Sequence, residues 1–487
     1  MIGKAARIRK DFETFGQMHI FAGFDTLDTR AQKRLVTQAG AVDLPHLNQL
    51  ITSFVKSKWT PPDHRGELAI QPTPYIVRPE NGGDRAKWAS ARRRGEAALR
   101  AGKVAAVTVA GGQGTRLGFD GPKGAFPITP VEGKPLFQVF AEKLLAAQER
   151  YGHPIMWLIM TSPVNHEATL AFFKQHNSFG LDPKQIHCFQ QRQMPVVDLD
   201  GKILLEGSDT IVLSPDGHGG LFHALLHSGL LERLHSQGVE ILSYFQVDNP
   251  LVHCIDPAFI GFHLEAGSDF SSKVILKTDP DEKVGLFCQR NGCLSIVEYS
   301  DLPSEQAAQR DPSGRLVHRT GNPAIHLLGR DFIEKIARDE TLPFHRTEKK
   351  LTLFDAQGQL RSPNQPNAIK FERFLFDALP FANNPILVES DRNEEFSPVK
   401  NATGPTSPET CKEDQLRLFH RWMSAAGMDL PYKTEGRFPF PFEVSPLFAT
   451  DQDTFVEKWR GLEPKPFLQE GSVLGNNTPL STVPRKN

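Results

Sequence analysis

Residues 104–124 read VAAVTVAGGQGTRLGFDGPKG, and this stretch decides the fold. The apolar, β-prone run Val104 to Ala110 stops at Gly111-Gly112, and a loop holding Gly114, Gly118, Gly121 and Gly124 follows. A strand that feeds a glycine loop can bring several backbone N–H groups round one anion, because glycine accepts positive φ and lets main chain approach closely. Arg116 and Lys123 add formal charge to the same loop. The pattern predicts a polyphosphate site at the end of a β-strand.

Context excludes the better-known glycine loops. Gly112, Gly114 and Gly118 approach a dinucleotide fingerprint, with Glu132 near the place of a ribose-binding carboxylate, but that fingerprint opens directly into a helix. Here Pro122, Pro127, Pro130 and Pro135 hold the chain in loop. A Walker loop needs Lys-Ser or Lys-Thr after the glycines, and neither follows. A purely structural turn leaves the two cations unexplained.

Outward from the loop, strand and helix patterns alternate. Leu136 to Gln148 reads as helix, Ile155 to Thr161 as strand, Asn165 to His176 as helix, Ile186 to Gln190 as strand, Leu221 to Leu234 as helix and Ile241 to Val247 as strand. This rhythm predicts an α/β fold, a mostly parallel mixed sheet with helices on both faces. Residues 1–100 show helical spacing, as in Leu35, Val36, Leu47, Leu50 and Ile51 and again from Ala86 to Leu99, where Arg92, Arg93 and Arg94 read as a solvated face. Residues 401–487 hold loops, one helical run from Leu416 to Gly427 and a proline-rich end. The expected organisation is a helical N-terminal region (1–100), a catalytic domain (101–400) and a small C-terminal domain (401–487).

Two further loops carry chemistry. Residues 214–220, SPDGHGG, lead into a predicted helix and place N–H donors and a positive dipole end beside a site. Asp248-Asn249-Pro250 ends a strand at the edge where open α/β sheets bind ligands, although the same triplet is also ordinary turn chemistry. Beside a triphosphate loop, one hard oxygen ligand suits Mg²⁺, which takes one or two carboxylates together with phosphate oxygens and water. Asp198 and Asp200 form a DxD pair, a pattern of metal-dependent sugar transferases, but Gly201 directly after them marks a hairpin turn.

Composition narrows the partners. With 56 basic against 57 acidic residues there is no electrostatic footprint for nucleic acid or an anionic membrane. Cys188, Cys254, Cys288, Cys293 and Cys411 show no CxxC pairing, so reduced thiols in the cytoplasm are expected rather than zinc or disulfides. The basic start is interrupted by Asp11 and Glu13 before a signal-peptide core forms, and no apolar run is long enough to span a bilayer.

The run AGGQGTRLG followed by PKG resembles the signature loop of nucleotide-sugar pyrophosphorylases, in particular the UDP-N-acetylglucosamine pyrophosphorylase family. The resemblance continues through DPAFIGFHLEAGSD, IVEYSDLP, GNPAIHLL, LPFHRTEKK, PNAIKFERFLFD and EEFSPVKNATG, from Val104 to Gly404. It implies a nucleotidyltransferase core of the GT-A-like Rossmann type that converts UTP and a sugar 1-phosphate to a UDP-sugar and pyrophosphate with Mg²⁺. By the same match Ala110, Gly111, Gly112, Gly114 and Thr115 cradle the nucleotide, Gln191 recognises the uracil edge, Gly217 helps shape the nucleotide pocket, and Lys370 reaches the phosphates. Arg116, Lys123 and Lys400 are the implied catalytic cations, and Asp248 the metal ligand. His218, Gly219, Glu298, Tyr299 and Asn322 border the sugar.

Two positions depart from the family. His218 stands where N-acetylglucosamine members carry Asn, and relatives that activate glucose carry Gly-His-Gly; Ile325, beside the implied sugar site, replaces the second Asn of GN-x-AN-H. The expected sugar is N-acetylglucosamine 1-phosphate, with glucose or galactose 1-phosphate as alternatives. A glycosyltransferase and a silent UDP-sugar sensor are the rival classes, and the sensor would have no use for both loop cations.

Overall fold

The computed structural model describes residues 2–57, 69–354, 360–428, 440–462, 468–475 and 481–482. They form two compact units, each assembled from separated stretches of chain. The first comprises Met1–Gly66, Gln191–His223 and Glu340–Ala378; the second comprises Glu67–Gln190, Ala224–Asp339 and Leu379–Asn487. The boundaries drawn from the sequence follow chain order, whereas these units do not. Of the helices expected in residues 1–100, Ile2–Thr14, Thr29–Ala39 and Leu44–Ile51 fall in the first unit and Arg85–Arg100 in the second.

The second unit is built on an 11-stranded sheet. Val104–Val109 pairs in parallel with Trp157–Thr161 on one side and Ile241–Gln246 on the other, and Ile186–Gln190 continues the parallel set. A strand flanked on both edges and covered on both faces has no solvent side, hence its unbroken apolar sequence. Val104, Ala106, Trp157, Ile159, Ile241 and Phe245 join one apolar cluster, while Ala105, Val107, Leu158 and Met160 are buried between them. Beyond Ile241–Gln246 the pairing becomes antiparallel, through His326–Gly329 to Phe270–Leu276. The sheet is therefore mixed, and its parallel half carries the glycine loop. Leu221–Leu234, expected as one helix, is two, Leu221–His227 and Leu230–Ser236, because Gly229 takes φ 72° between them.

Two helices of this unit touch main chain to main chain. Asp84 caps Arg85–Arg100 by accepting from the Ala86 and Lys87 amides, and Asp256 caps Pro257–Ala266 likewise. A Cβ on Gly95 would lie 1.8 Å from the Pro257 carbonyl oxygen, and one on Gly261 would lie 1.7 Å from that of Ala91. Near the C-terminus, helices Pro408–Ala425 and Gln452–Gly461 bury Trp422, Phe455 and Trp459 in a cluster of their own. Glu443 ties this segment to the rest of the unit by accepting from the Val131 and Glu132 amides at 3.1 and 3.0 Å.

In the first unit, Phe12, Leu35, Leu47 and Ile51 pack with Val197, Ile203, Ile369 and Phe371. Asp198 Oδ1 accepts from the Asp200 and Lys202 amides at 2.9 and 2.8 Å, and Gly201 takes φ 82°. The DxD pair is thus a hairpin turn. No helix among the described residues is long and apolar enough to cross a membrane.

Alanine in place of a helical glycine ordinarily stabilises by up to about 1 kcal/mol. For Gly95→Ala and Gly261→Ala the contact reverses the sign, and each should destabilise by about 1–3 kcal/mol or more, read as a lower melting temperature than wild type.

Candidate functional site

The glycine loop hangs between two turns. Gly114 N donates to Gly121 O at 2.9 Å and Lys123 N to Gly112 O at 3.1 Å, so the loop closes on itself. Gly114 is buried, and a Cβ there would meet Phe119 at 2.7 Å. The carbonyls are held by a residue that the sequence reading missed. Asn165, fully buried, donates from Nδ2 to Ala110 O at 2.8 Å and Gly112 O at 3.1 Å, and its Oδ1 accepts from Ser162 N at 2.9 Å. With carbonyls tied down on that side, the amides of Gly111, Gly112, Gln113, Thr115 and Arg116 donate to no protein acceptor among the described residues. Ala110 lies buried at the root of the loop; Thr115 and Arg116 lie exposed in a single 3-10 turn. Several N–H groups without an acceptor in one short loop, with an exposed cation beside them, are the elements of an anion site.

Lys123 and Asp248 meet across this site, Nζ to Oδ2 at 3.4 Å, both side chains mostly buried. Asp248 O accepts from Val399 N at 2.8 Å, which sets the following residue, the exposed Lys400, beside the same strand end. The neighbouring Asn249 explains why the turn is rigid. Its Nδ2 donates to Glu395 O at 2.6 Å and its Oδ1 accepts from Ser397 N at 3.1 Å. The structure therefore gathers residues 110–116, Lys123, Asp248 and Lys400.

Glu298 and Asn322 come together around Gly285. Its carbonyl accepts from Asn322 N at 2.8 Å, and a Cβ on it would face Glu298 Oε1 at 3.5 Å. Tyr299 is exposed at 46%. Asn322 Oδ1 braces Ala324 N at 2.8 Å, where Ala324 holds φ 59°. Ile325, which the sequence placed beside the sugar, instead lies 2% exposed in the main apolar cluster.

The other residues gather in the first unit. Gln191 Nε2 donates to the Gly217 carbonyl. The strand Ala368–Glu372, which carries Lys370, pairs with His345–Lys349 and runs on to Arg373, whose N donates to Asp216 O at 2.7 Å and whose O accepts from Gly219 N at 2.9 Å. Gly217 takes φ 84°, and a Cβ there would meet Arg373 O at 2.2 Å. His218 stacks on Phe374 with ring centroids 5.4 Å apart, and its Nδ1 accepts from Leu375 N at 3.0 Å. Burial pushes the imidazole down to about 4, so it is neutral with the proton on Nε2. Towards a ligand His218 can only donate.

A third cluster resembles a metal site but is a buried ion network. His253, Asp256 and Glu395 bring ligand atoms within 4.8 Å of one another. Lys273 Nζ already donates to Asp256 Oδ2 at 2.6 Å and to Glu395. Burial alone would raise the Asp256 carboxyl, but the Lys273 ammonium and His253 hold it down to about 2. The Lys273 ammonium thus already stands between the two carboxylates, where a cation would bind.

Residues 79–406 match the family described as UTP–glucose-1-phosphate uridylyltransferase. UDP-N-acetylglucosamine diphosphorylase 2 of Arabidopsis thaliana is 36% identical over 455 residues, 89% of this chain and 87% of that protein. The UDP-N-acetylglucosamine pyrophosphorylase of Saccharomyces cerevisiae is 34% identical over 432 residues, 85% of this chain and 90% of that protein. Among solved structures, the uridine diphosphate N-acetylglucosamine pyrophosphorylase of Trypanosoma brucei superposes with a TM-score of 0.78 at 26% identity, covering 98% of both chains.

The His218 geometry is checked by nitrogen NMR of the imidazole. It should show the Nε2–H tautomer and titrate near pH 4 instead of near 6.5. Because the folded-state value is depressed, the neutral ring's contribution to stability is complete above pH 6.5 and is lost as the pH falls toward 4.

Proposed function

Since the chain belongs to the UTP–glucose-1-phosphate uridylyltransferase family, and within it to the UDP-N-acetylglucosamine pyrophosphorylases, we propose that it joins UTP to N-acetylglucosamine 1-phosphate, forming UDP-N-acetylglucosamine and releasing pyrophosphate. The observation that carries this reading is the set of amides without a protein acceptor, those of Gly111, Gly112, Gln113, Thr115 and Arg116, in the loop that also carries Lys123, the partner of Asp248.

A phosphate oxygen of the sugar 1-phosphate attacks the α-phosphorus of UTP, a new P–O bond forms, and the bond to the β-phosphate breaks in line. Negative charge grows on the bridging and leaving oxygens. In this reading the loop amides, Arg116, Lys123 and Lys400 meet it, and rate enhancement comes from positioning and preorganised charge rather than from a covalent intermediate. Arg116 has no protein partner among the described residues and is free to turn toward a phosphate. Asp248 fits a magnesium ion, since a single hard carboxylate beside phosphates is the donor set that ion takes. Bound there, Mg²⁺ would supply further neutralisation of phosphate charge. Lys123 balances that carboxylate at 3.4 Å.

The sugar reading rests on the relatives and on two features of the chain. His218 offers one donor, Nε2–H, which suits the carbonyl oxygen of an acetamido group. Ile325 lies in the core and does not narrow the wall near Asn322 and Glu298. Absence of a membrane-crossing helix among the described residues and five free thiols accord with work in the cytoplasm.

Pyrophosphate release from UTP with a panel of sugar 1-phosphates tests the assignment. N-acetylglucosamine 1-phosphate should give a kcat/KM at least about tenfold above glucose or galactose 1-phosphate, and the reverse order would assign the enzyme to the glucose branch. Lys123→Ala and Arg116→Ala should each lower kcat by about a hundredfold while changing KM for UTP far less; turnover within a few-fold of wild type would take the loop out of the chemistry.

A further inference from the structure

We propose that Lys123 is a placeholder for the divalent cation at Asp248: its ammonium and the metal compete for that carboxylate, and Lys123 yields it only when a triphosphate draws the ammonium toward the glycine loop. This rests on the uridylyltransferase reading, with Mg²⁺ at Asp248, and deepens it.

Of the cations Arg116, Lys123 and Lys400, only Lys123 has an acidic partner among the described residues. Its ammonium lies 3.4 Å from Asp248 Oδ2, and the two side chains are 16% and 14% exposed. No other cation stands within ion-pair distance of Asp248 among the described residues. A pair so little hydrated is weakly screened and holds more firmly than one at the surface. A doubly charged metal brought to the same carboxylate meets the Lys123 charge at close range, and the two repel.

Main chain is fixed on both sides of the pair, so the exchange falls to a side chain. Asp248 O accepts from Val399 N at 2.8 Å, and Asn249 pins the next residue to Glu395 and Ser397. Lys123 opens the 3-10 turn Lys123–Ala125, its N donating to Gly112 O at 3.1 Å, and Gly124 packs so closely that a Cβ there would lie 2.2 Å from the Phe137 ring. Aspartate has a single methylene, whereas lysine carries its charge on a flexible four-carbon stem, so only the ammonium can swing away while the backbone stays. The acceptors it swings to are phosphate oxygens held by the amides of Gly111, Gly112, Gln113, Thr115 and Arg116, in the loop to which its own N–H is tied. A metal arriving with those phosphates meets a carboxylate that has lost its partner; a metal alone meets one that is taken. Metal and triphosphate therefore bind cooperatively, since each removes what opposes the other.

The test is metal binding without nucleotide, with Mn²⁺ as the probe. It is followed on the deuterated full-length protein by the paramagnetic loss of the Val247 and Asn249 amide signals, which a metal at Asp248 broadens first. Lys123→Met and Lys123→Gln should each lower the Mn²⁺ concentration that halves these signals by about tenfold or more, because a mostly buried carboxylate left without its cation takes another. Lys123→Arg, which keeps the charge, should stay within about threefold of wild type. Adding Asp248→Asn to Lys123→Met should return the requirement to the wild-type level or above it. Equal Mn²⁺ requirements in wild type and both neutral variants overturn the proposal, and so does a lowered requirement that survives Asp248→Asn. Failure of the wild-type enzyme to release pyrophosphate from UTP and N-acetylglucosamine 1-phosphate would instead overturn the uridylyltransferase reading, on which the Mn²⁺ titration does not draw.

Discussion

The site depends on where one buried amide sends its hydrogen bonds. Asn165 takes the carbonyls of Ala110 and Gly112 at 2.8 and 3.1 Å and is itself held by Ser162. A peptide unit that turns its C=O one way turns its N–H the other. Fastening these carbonyls to the protein is what leaves the amides on the far side with nothing to bind. Each such bond contributes about 1 kcal/mol net, but losing Asn165 would also strand buried carbonyls, which costs about 1–3 kcal/mol apiece. The parallel strand beneath gives the loop a rigid root, since Val104 to Val107 are at most 3% exposed and Ala106 to Val109 are paired on both edges.

The same logic recurs at the other strand end. Asp248 would be an ordinary turn residue were it not for Asn249, which pins the turn to Glu395 and Ser397, while Lys143 donates to the carbonyls of Pro250 and Val252 at 2.6 and 2.8 Å. Glu395 is in turn held by the buried Lys273. A buried ion network that looks like a metal centre thus acts as an anchor for the carboxylate that faces Lys123. Removing one member would leave an unpaired buried charge, an outcome far costlier than the pair's net stabilisation.

Much of this is legible in the sequence because it is local. The strand-to-glycine transition at Ala110-Gly111, the hairpin at Gly201 and the carboxylate at the end of Ile241–Gln246 each follow from a few adjacent residues. The discontinuous first unit is not legible, because the pairing of Val197 with Ile369 joins residues far apart in sequence and no periodicity reports it. Gly95 and Gly261 read as weak helix positions, yet they are the contact points of two helices; only the partner backbone reveals why. Asn165 reads only as the first residue of the helix Asn165 to His176, and its role appears once the loop is folded over it. Ile325 looked like a pocket residue from its place in a motif, but a left-handed Ala324 turns the chain so that it packs into the core.

The central claim is that the amides of Gly111 to Arg116 bind the triphosphate. Backbone amide NMR of the deuterated full-length protein, recorded as UTP is added, tests it most directly. The account predicts that Gly111, Gly112, Gln113, Thr115 and Arg116 shift most among the amides of residues 104–124, while Gly114 and Lys123, already bonded within the loop, move less. Saturable UTP binding that left those five amides in place would contradict it.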